Sequence, residues 1–243
     1  MHSKIFSFIS ILLSINLVFN LNAQKFKPLN YKKFDDKLIH FGFMLGGNSA
    51  DFNITQNLNA YSLYGVKIIE NKRQAGGQLG ILTDLKLFTP MLRLRFIPSL
   101  SFQERVINYT STPIDPTSDK DDLNEERINS TNLDFPFLLQ FRTLRYNNFT
   151  SYIVGGMQYT YDLQSQATSN QSLTDPFVKI KAEDWFGQVG LGVEFFAVYF
   201  KCGLEIKYSH GLKNVFIQDY TPISLPIDQI KNKTWYFSII FEG

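Results

Sequence analysis

From residue 40 to the C-terminus, apolar residues recur at every second position. Leu92, Leu94, Phe96, Pro98, Leu100 and Phe102 share one face, with Arg93, Arg95, Ser99, Ser101, Gln103 and Arg105 on the other. Leu133, Phe135, Phe137, Leu139 and Phe141 likewise alternate with Asn132, Asp134, Gln140 and Arg142. A period of two is that of a strand with two unlike faces, and no segment sustains the 3.6-residue stripe of a helix. Further alternating runs at 41–45, 79–87, 153–161, 185–195, 200–208 and 235–241 bring the prediction to about eight strands. Pro136 falls inside the fourth and lacks a ladder donor, which predicts a bulge there.

Alternation alone does not say which face meets solvent, because soluble antiparallel sheets also alternate. Three features favour apolar-out. The apolar sets are large and aromatic, drawing on 23 Phe and 12 Tyr, and their rings gather towards strand ends like the girdles of a membrane barrel. The opposite faces mix Gly with both signs of charge, as a narrow polar lumen requires. Long links near 49–75, 110–130, 163–183 and 211–232 also alternate with tight turns at Thr89-Pro90, Arg145-Tyr146-Asn147-Asn148 and Ala197-Val198. The predicted fold is all-β, an eight-stranded antiparallel transmembrane β-barrel of the outer-membrane kind. An even strand count puts both termini at the short-turn end, predicted periplasmic, and the long links outside. Eight strands make a barrel that side chains fill, which argues against a diffusion pore or a large internal ligand site.

Composition excludes other classes. Mean hydropathy of -0.12 is too polar for a bundle of spanning helices, and 44% hydrophobic residues with 19% charged is too apolar for disorder. A net charge of +2 without a basic stripe gives no footprint for nucleic acid. Cys202 is the sole cysteine, so no internal disulfide forms. Lys4 precedes an apolar stretch from Ile5 to Leu21, broken by Ser7, Ser10, Ser14, Asn16 and Asn20 and followed by Ala23. That pattern predicts a signal peptide over 1–23, cut after Ala23, leaving 24–243 as the barrel domain. No cysteine stands at the cut to suggest a lipoprotein.

Few constellations carry chemistry. Ser209 and His210 invite a nucleophile and base, but adjacent strand residues point to opposite faces. The other mature histidine, His40, starts the first strand at the opposite membrane side. Asp115, Asp119, Asp121, Asp122, Glu125 and Glu126 form an acidic stretch without the glycine and spacing of a calcium loop, so a solvated loop with at most weak divalent binding is expected. Asp84, Lys86, Arg93, Arg95, Asp134, Arg142, Glu194, Lys201, Glu205 and Lys207 share the polar parity and predict a paired lumen network, a proton or ion path being the minority alternative. Cys202 has the outward parity of Leu204 and Ile206. No catalytic, cofactor or metal residue is assigned.

Several blocks resemble the PorT-type outer-membrane proteins. They include His40-Phe41-Gly42-Phe43, Gly80-Ile81-Leu82-Thr83-Asp84-Leu85, and Leu94-Arg95-Phe96-Ile97-Pro98-Ser99-Leu100-Ser101-Phe102. Leu133-Asp134-Phe135-Pro136-Phe137, Tyr152-Ile153-Val154-Gly155-Gly156, Gly190-Leu191-Gly192-Val193-Glu194-Phe195, Glu205-Ile206-Lys207-Tyr208-Ser209-His210-Gly211-Leu212 and Ser238-Ile239-Ile240-Phe241-Glu242 extend the likeness over nearly the whole mature chain. The resemblance implies a non-enzymatic accessory of type IX protein secretion and gliding motility in Bacteroidetes, partnered by lipid and other secretion proteins. The alternatives are a general surface barrel for adhesion or envelope integrity, and a soluble lipocalin-like carrier with its apolar face inward.

Overall fold

A computed structural model describes residues 28–57, 66–111, 122–165, 178–219 and 224–243. The expected signal peptide, and Asp115, Asp119 and Asp121 of the acidic stretch, lie outside them. Among the described residues eleven strands follow in order: β1 (Ile39–Gln56), β2 (Val66–Lys86), β3 (Leu92–Phe96), β4 (Ser99–Ser111), β5 (Asp122–Arg142), β6 (Phe149–Asp162), β7 (Lys179–Ile180), β8 (Glu183–Phe196), β9 (Lys201–Gly211), β10 (Phe216–Ile217) and β11 (Ile227–Glu242).

β3 and β4 are two halves of one track. Both pair with β2 and β5, and the register passes unbroken from Phe96↔Phe137 to Ser99↔Asp134. The gap falls at Ile97-Pro98, where Pro98 has no N–H to give, although its carbonyl still accepts from Ile81 N–H at 3.0 Å. With β3 and β4 counted as one, eight strands form a ring in which every pair is antiparallel, closed by β1 against β11 from Gly42↔Glu242 onward. No bulge occurs at Pro136: the β5–β6 register runs through Pro136↔Gln158 without a shift, and its carbonyl accepts from Ile97 N–H. The ladder is shifted instead on β2 between Arg73 and Gly77. A Cβ on Gly76 in that irregular stretch would lie 2.1 Å from the Phe102 carbonyl oxygen, so only glycine fits.

Three tight turns, at 87–91, 143–148 and 197–200, share the end that holds the start of β1 and the end of β11; this is the turn end. The opposite, loop end departs from expectation. Residues 49–56, 66–75, 122–130 and 227–232, all placed in long links by the sequence reading, are strand. Their backbone groups need partners wherever the chain runs, and the neighbouring strands supply them beyond the apolar belt.

The belt faces outward, with Phe41, Ile81, Ile153 and Leu191 each more than 60% exposed. Phe43 stacks on Phe241 near the turn end; Tyr159 packs on Trp185, and Tyr208 on Trp235, towards the loop end. The lipocalin-like arrangement, with its apolar face inward, is thereby overturned. Along the inner face of β11 the interior is read in layers: Glu242, then Ile240, then Ser238, Tyr236, Thr234 and Asn232, then Ile230 and Ile227.

Candidate functional site

The densest chemistry lies in the lumen near the turn end. Arg95 on β3 is 1% exposed and reaches carboxylates from four other strands. Its Nη2 donates to Glu194 at 2.8 Å and Glu242 at 3.0 Å, its Nη1 to Glu205 at 3.3 Å and its Nε to Asp84 at 3.4 Å. Arg93 Nε donates to the other Asp84 oxygen at 2.7 Å. Lys201 bridges Glu194 and Glu242, both at 2.8 Å, and Lys207 lies 3.4 Å from Glu205. Gln140 and Thr150 donate to Glu194, and the Tyr152 hydroxyl to Glu205. Arg93, Arg95, Arg142, Lys201 and Lys207 stand against Asp35, Asp84, Glu194, Glu205 and Glu242, so the formal charges cancel. Buried charge persists on those terms, paired and hydrogen-bonded. Gly192 makes room for this packing, because a Cβ there would lie 2.4 Å from the Tyr152 ring.

A segment before β1 closes the turn end. Residues 32–34 form a 3-10 turn that drives Phe34 into the mouth, where it is fully buried. Its ring stacks on His40 at 3.7 Å and meets Phe196 edge-on at 5.4 Å. Lys201 Nζ, the Arg93 guanidinium and the Arg142 guanidinium lie 4.5, 5.3 and 5.8 Å from its centroid. Arg93 Nη1 and Nη2 have no hydrogen-bond partner among the described residues, and the aromatic face supplies the compensating attraction. Asp35 pairs with Arg142, while Lys86 donates to the carbonyls of Asp35 and Asp36 at 2.9 and 3.2 Å. Asn30 N–H donates to Asn148 Oδ1 at 2.8 Å, tying the segment to the β5–β6 turn.

Above the charged layer, Met44, Leu82, Ile97, Leu138, Tyr152, Val154 and Ile240 form an apolar stratum. Next comes a layer of amides and hydroxyls: Asp134 accepts from Ser101, Thr160 and Gln158 at 2.7, 2.7 and 2.9 Å, and Gln103 donates to the Tyr236 hydroxyl at 3.1 Å. The loop end is covered by an apolar lid in which Val178, Val215 and Phe216, around the β7–β10 pair, pack on Phe52, Ile107, Ile227 and Ile230.

Residues 13–217 match the family described as outer membrane protein beta-barrel domain. The chain belongs to this family. Its apolar belt is therefore the lipid-facing wall of an integral outer-membrane barrel. Among solved structures it is similar to the outer membrane protein OprG from Pseudomonas aeruginosa, at 14% identity and a TM-score of 0.43 over 84% of this chain and 93% of that one. It is also similar to Neisserial surface protein A, at 9% identity and a TM-score of 0.40 over 82% and 95%. The comparison with curated proteins gives no match.

Within this outer-membrane barrel, nine of the ten charges assigned inward are buried; Lys86 is half-buried and bonds carbonyls rather than a carboxylate. Ser209 is buried beside Gln188, whereas His210 faces outward beside Tyr208, so the two are not brought together. His40 sits at the turn end with Nε2 2.9 Å from the Phe34 carbonyl oxygen. Glu125 and Glu126 lie on β5, and Glu125 pairs with Arg127 at 2.5 Å. Among the described residues no three of His, Cys, Asp and Glu form a group able to hold a metal ion. Glu242, Phe34 and Asp35 are among the participants that were missed. Glu242 shares the parity of Ser238 and Ile240, which was sufficient to find it. Phe34 sits in the charged run Lys32-Lys33-Phe34-Asp35-Asp36-Lys37, where no period signals burial.

Proposed function

We propose that this chain is a non-conducting, non-enzymatic outer-membrane barrel that acts through its surfaces as an accessory of type IX protein secretion and gliding motility. The observation that carries the first half is the filled lumen. The charged layer, the apolar stratum and the amide layer are buried, with Phe34 beneath them and the lid above. Transport through such an interior would require breaking a paired charge network. Ser209 and His210 point to opposite faces and do not meet, which supports a role without catalysis. The secretion role is supported by the resemblance of blocks such as 94–102 and 205–212 to PorT-type proteins.

We further propose that 1–23 is a cleaved signal peptide, that the turn end with both termini is periplasmic, and that the loop end faces outward. Short turns at one end and long strand extensions at the other support that orientation. An epitope inserted near Asp119 should be reached by antibody on intact cells and one near Asn147 should not; equal access would overturn it. The deciding experiment for function is the secreted-protein profile of a deletion strain, with and without complementation. A normal profile would sink the secretion role and leave a general surface barrel, which family membership accommodates equally.

A further inference from the structure

The outer face of the β1–β11 pair changes character step by step towards the loop end. In register, Leu45↔Ile239 is followed by Gly47↔Phe237, Ser49↔Trp235, Asp51↔Lys233 and Asn53↔Lys231. Side chains of a strand alternate between its faces, and the exposure of Leu45, Phe237 and Ile239 marks this set as the outer one. The column therefore runs from apolar residues through an indole to charge, which is the order of tail, interface and headgroup in a membrane lipid. Its apolar part borders an open depression of about 530 Å³ walled by Leu45, Gly47, Leu191, Leu204, Ile206 and Phe237. A Cβ on Gly47 would meet nothing closer than 3.7 Å, so the missing side chain leaves free space on the outer surface.

At the charged end of the column Asp51 is 5% exposed and both of its oxygens are in use. Oδ2 accepts from Arg73 Nε at 3.0 Å and from Lys233 Nζ at 3.1 Å, and Oδ1 accepts from Phe52 N–H at 2.9 Å and from Asn71 Nδ2. One buried carboxylate thus holds two cations side by side. Arg73 spends only Nε on it, so both Nη groups keep their donors, and its side chain is 58% exposed. Lys231 stands two residues from Lys233 on the same face, about 7 Å along the strand, and makes no hydrogen bond or ion pair among the described residues. Three cations share one carboxylate, with two positive charges over, while Glu70 and Lys72, exposed on the adjoining β2, cancel. The chain outside the described residues is too short or too distant to cover this level. Residues 58–65 join Asn57 to Val66 by about 31 Å of extended chain, or about 15 Å out and back, whereas Asp51 lies six residues, about 20 Å, below Asn57. Residues 220–223 are fewer still, 112–121 leave from β4 beyond β2, and 166–177 leave from β6, across the ring from β1.

We propose that Arg73, Lys231 and Lys233 hold the phosphate of an anionic membrane lipid whose acyl chain lies in the depression below. The free Nη donors of the guanidinium match two phosphate oxygens, and the two ammonium groups supply the remaining charge. Trp235, packed on Tyr208 at 4.9 Å, sits where head meets tail. The site is continuous with the lipid-facing belt, and its surplus charge selects an anionic lipid over the zwitterionic ones that suffice elsewhere on the wall. That the leaflet concerned is the outer one rests on the orientation proposed above. The site itself does not, because it lies at the loop end whichever way that end faces.

Trp235 supplies the probe, since Trp185 is the only other tryptophan of the chain. The full mature protein carrying Trp185→Phe is reconstituted into phosphatidylcholine vesicles at low salt. Quenching of its fluorescence is followed as phosphatidic acid or phosphatidylcholine, each brominated in its acyl chains, is added. Brominated phosphatidic acid should be favoured about 25-fold, a factor of about five for each surplus charge. Lys231→Gln breaks no contact among the described residues and should leave a preference of about fivefold at an unchanged unfolding midpoint. Lys231→Gln combined with Lys233→Gln should leave none. Equal quenching by the two lipids when all three cations are present, or a preference that survives unchanged in both variants, would overturn the site. Release of the brominated phosphatidic acid by about 10 mM inorganic phosphate would make the ligand a soluble anion and overturn the lipid as occupant. These readouts do not depend on which way the barrel faces in the cell, so a failed epitope test and a failed site remain distinguishable.

Discussion

The two halves of the lumen solve the same problem with different chemistry. Near the turns, five cations and five carboxylates cancel around Arg95, and an aromatic plug seals the mouth. Near the loops, Asp134 is held by three uncharged donors and an apolar lid does the sealing. The charged half links β2, β3, β8, β9 and β11 through single guanidinium and ammonium groups. The loop half links mostly adjacent strands through short amide and hydroxyl bonds, as with Ser101 and Asp134 on β4 and β5. Charge pairing thus ties distant strands together near the turns, and hydrogen bonds between mostly adjacent strands do so towards the loops.

Breaking the charged half should cost most. Arg95→Leu leaves four carboxylates short of a partner and should destabilise the barrel by about 3 to 5 kcal/mol, read by urea unfolding in micelles or by loss of the heat-modifiable gel shift. Leu191→Arg puts a charge on the lipid face and should cost about 2 to 4 kcal/mol near the bilayer midplane, measured as impaired insertion into vesicles. If Leu191→Arg inserts like wild type, the belt does not face lipid. A matched pair tests the asymmetry itself. Glu194→Gln strips Arg95 and Lys201 of a shared carboxylate, whereas Asp134→Asn keeps uncharged neighbours, so the first should lower stability clearly and the second by no more than about 1 kcal/mol. Equal losses would show that charge pairing does not set the two halves apart. The smallest global effect is expected for Phe34→Ala. Hydrogen exchange should rise at 28–38 while the unfolding midpoint barely moves, and planar-bilayer recordings should stay silent because the apolar stratum and the lid still close the lumen. Steady conductance in Phe34→Ala would mean that the plug alone holds the barrel shut.

The sequence by itself determined the number of membrane strands, their facing and their three tight turns. A period of two gives two unlike faces, and an aromatic apolar set opposite a polar set of both signs favours apolar-out. It therefore placed Arg95, Glu194 and Lys201 inside and Leu191 outside, and it separated Ser209 from His210. Only the tertiary structure decided which inward charges meet. Arg95 and Glu242 are 147 residues apart in the chain and become neighbours through ring closure, which no local pattern encodes. The Phe34 plug was hidden for a related reason, since a single aromatic in a charged run has no periodicity and is buried only because the fold brings cations and His40 around it. Strand extensions such as 122–130 read as polar loops because no apolar alternation marks them, and only pairing with a neighbour reveals them as strands.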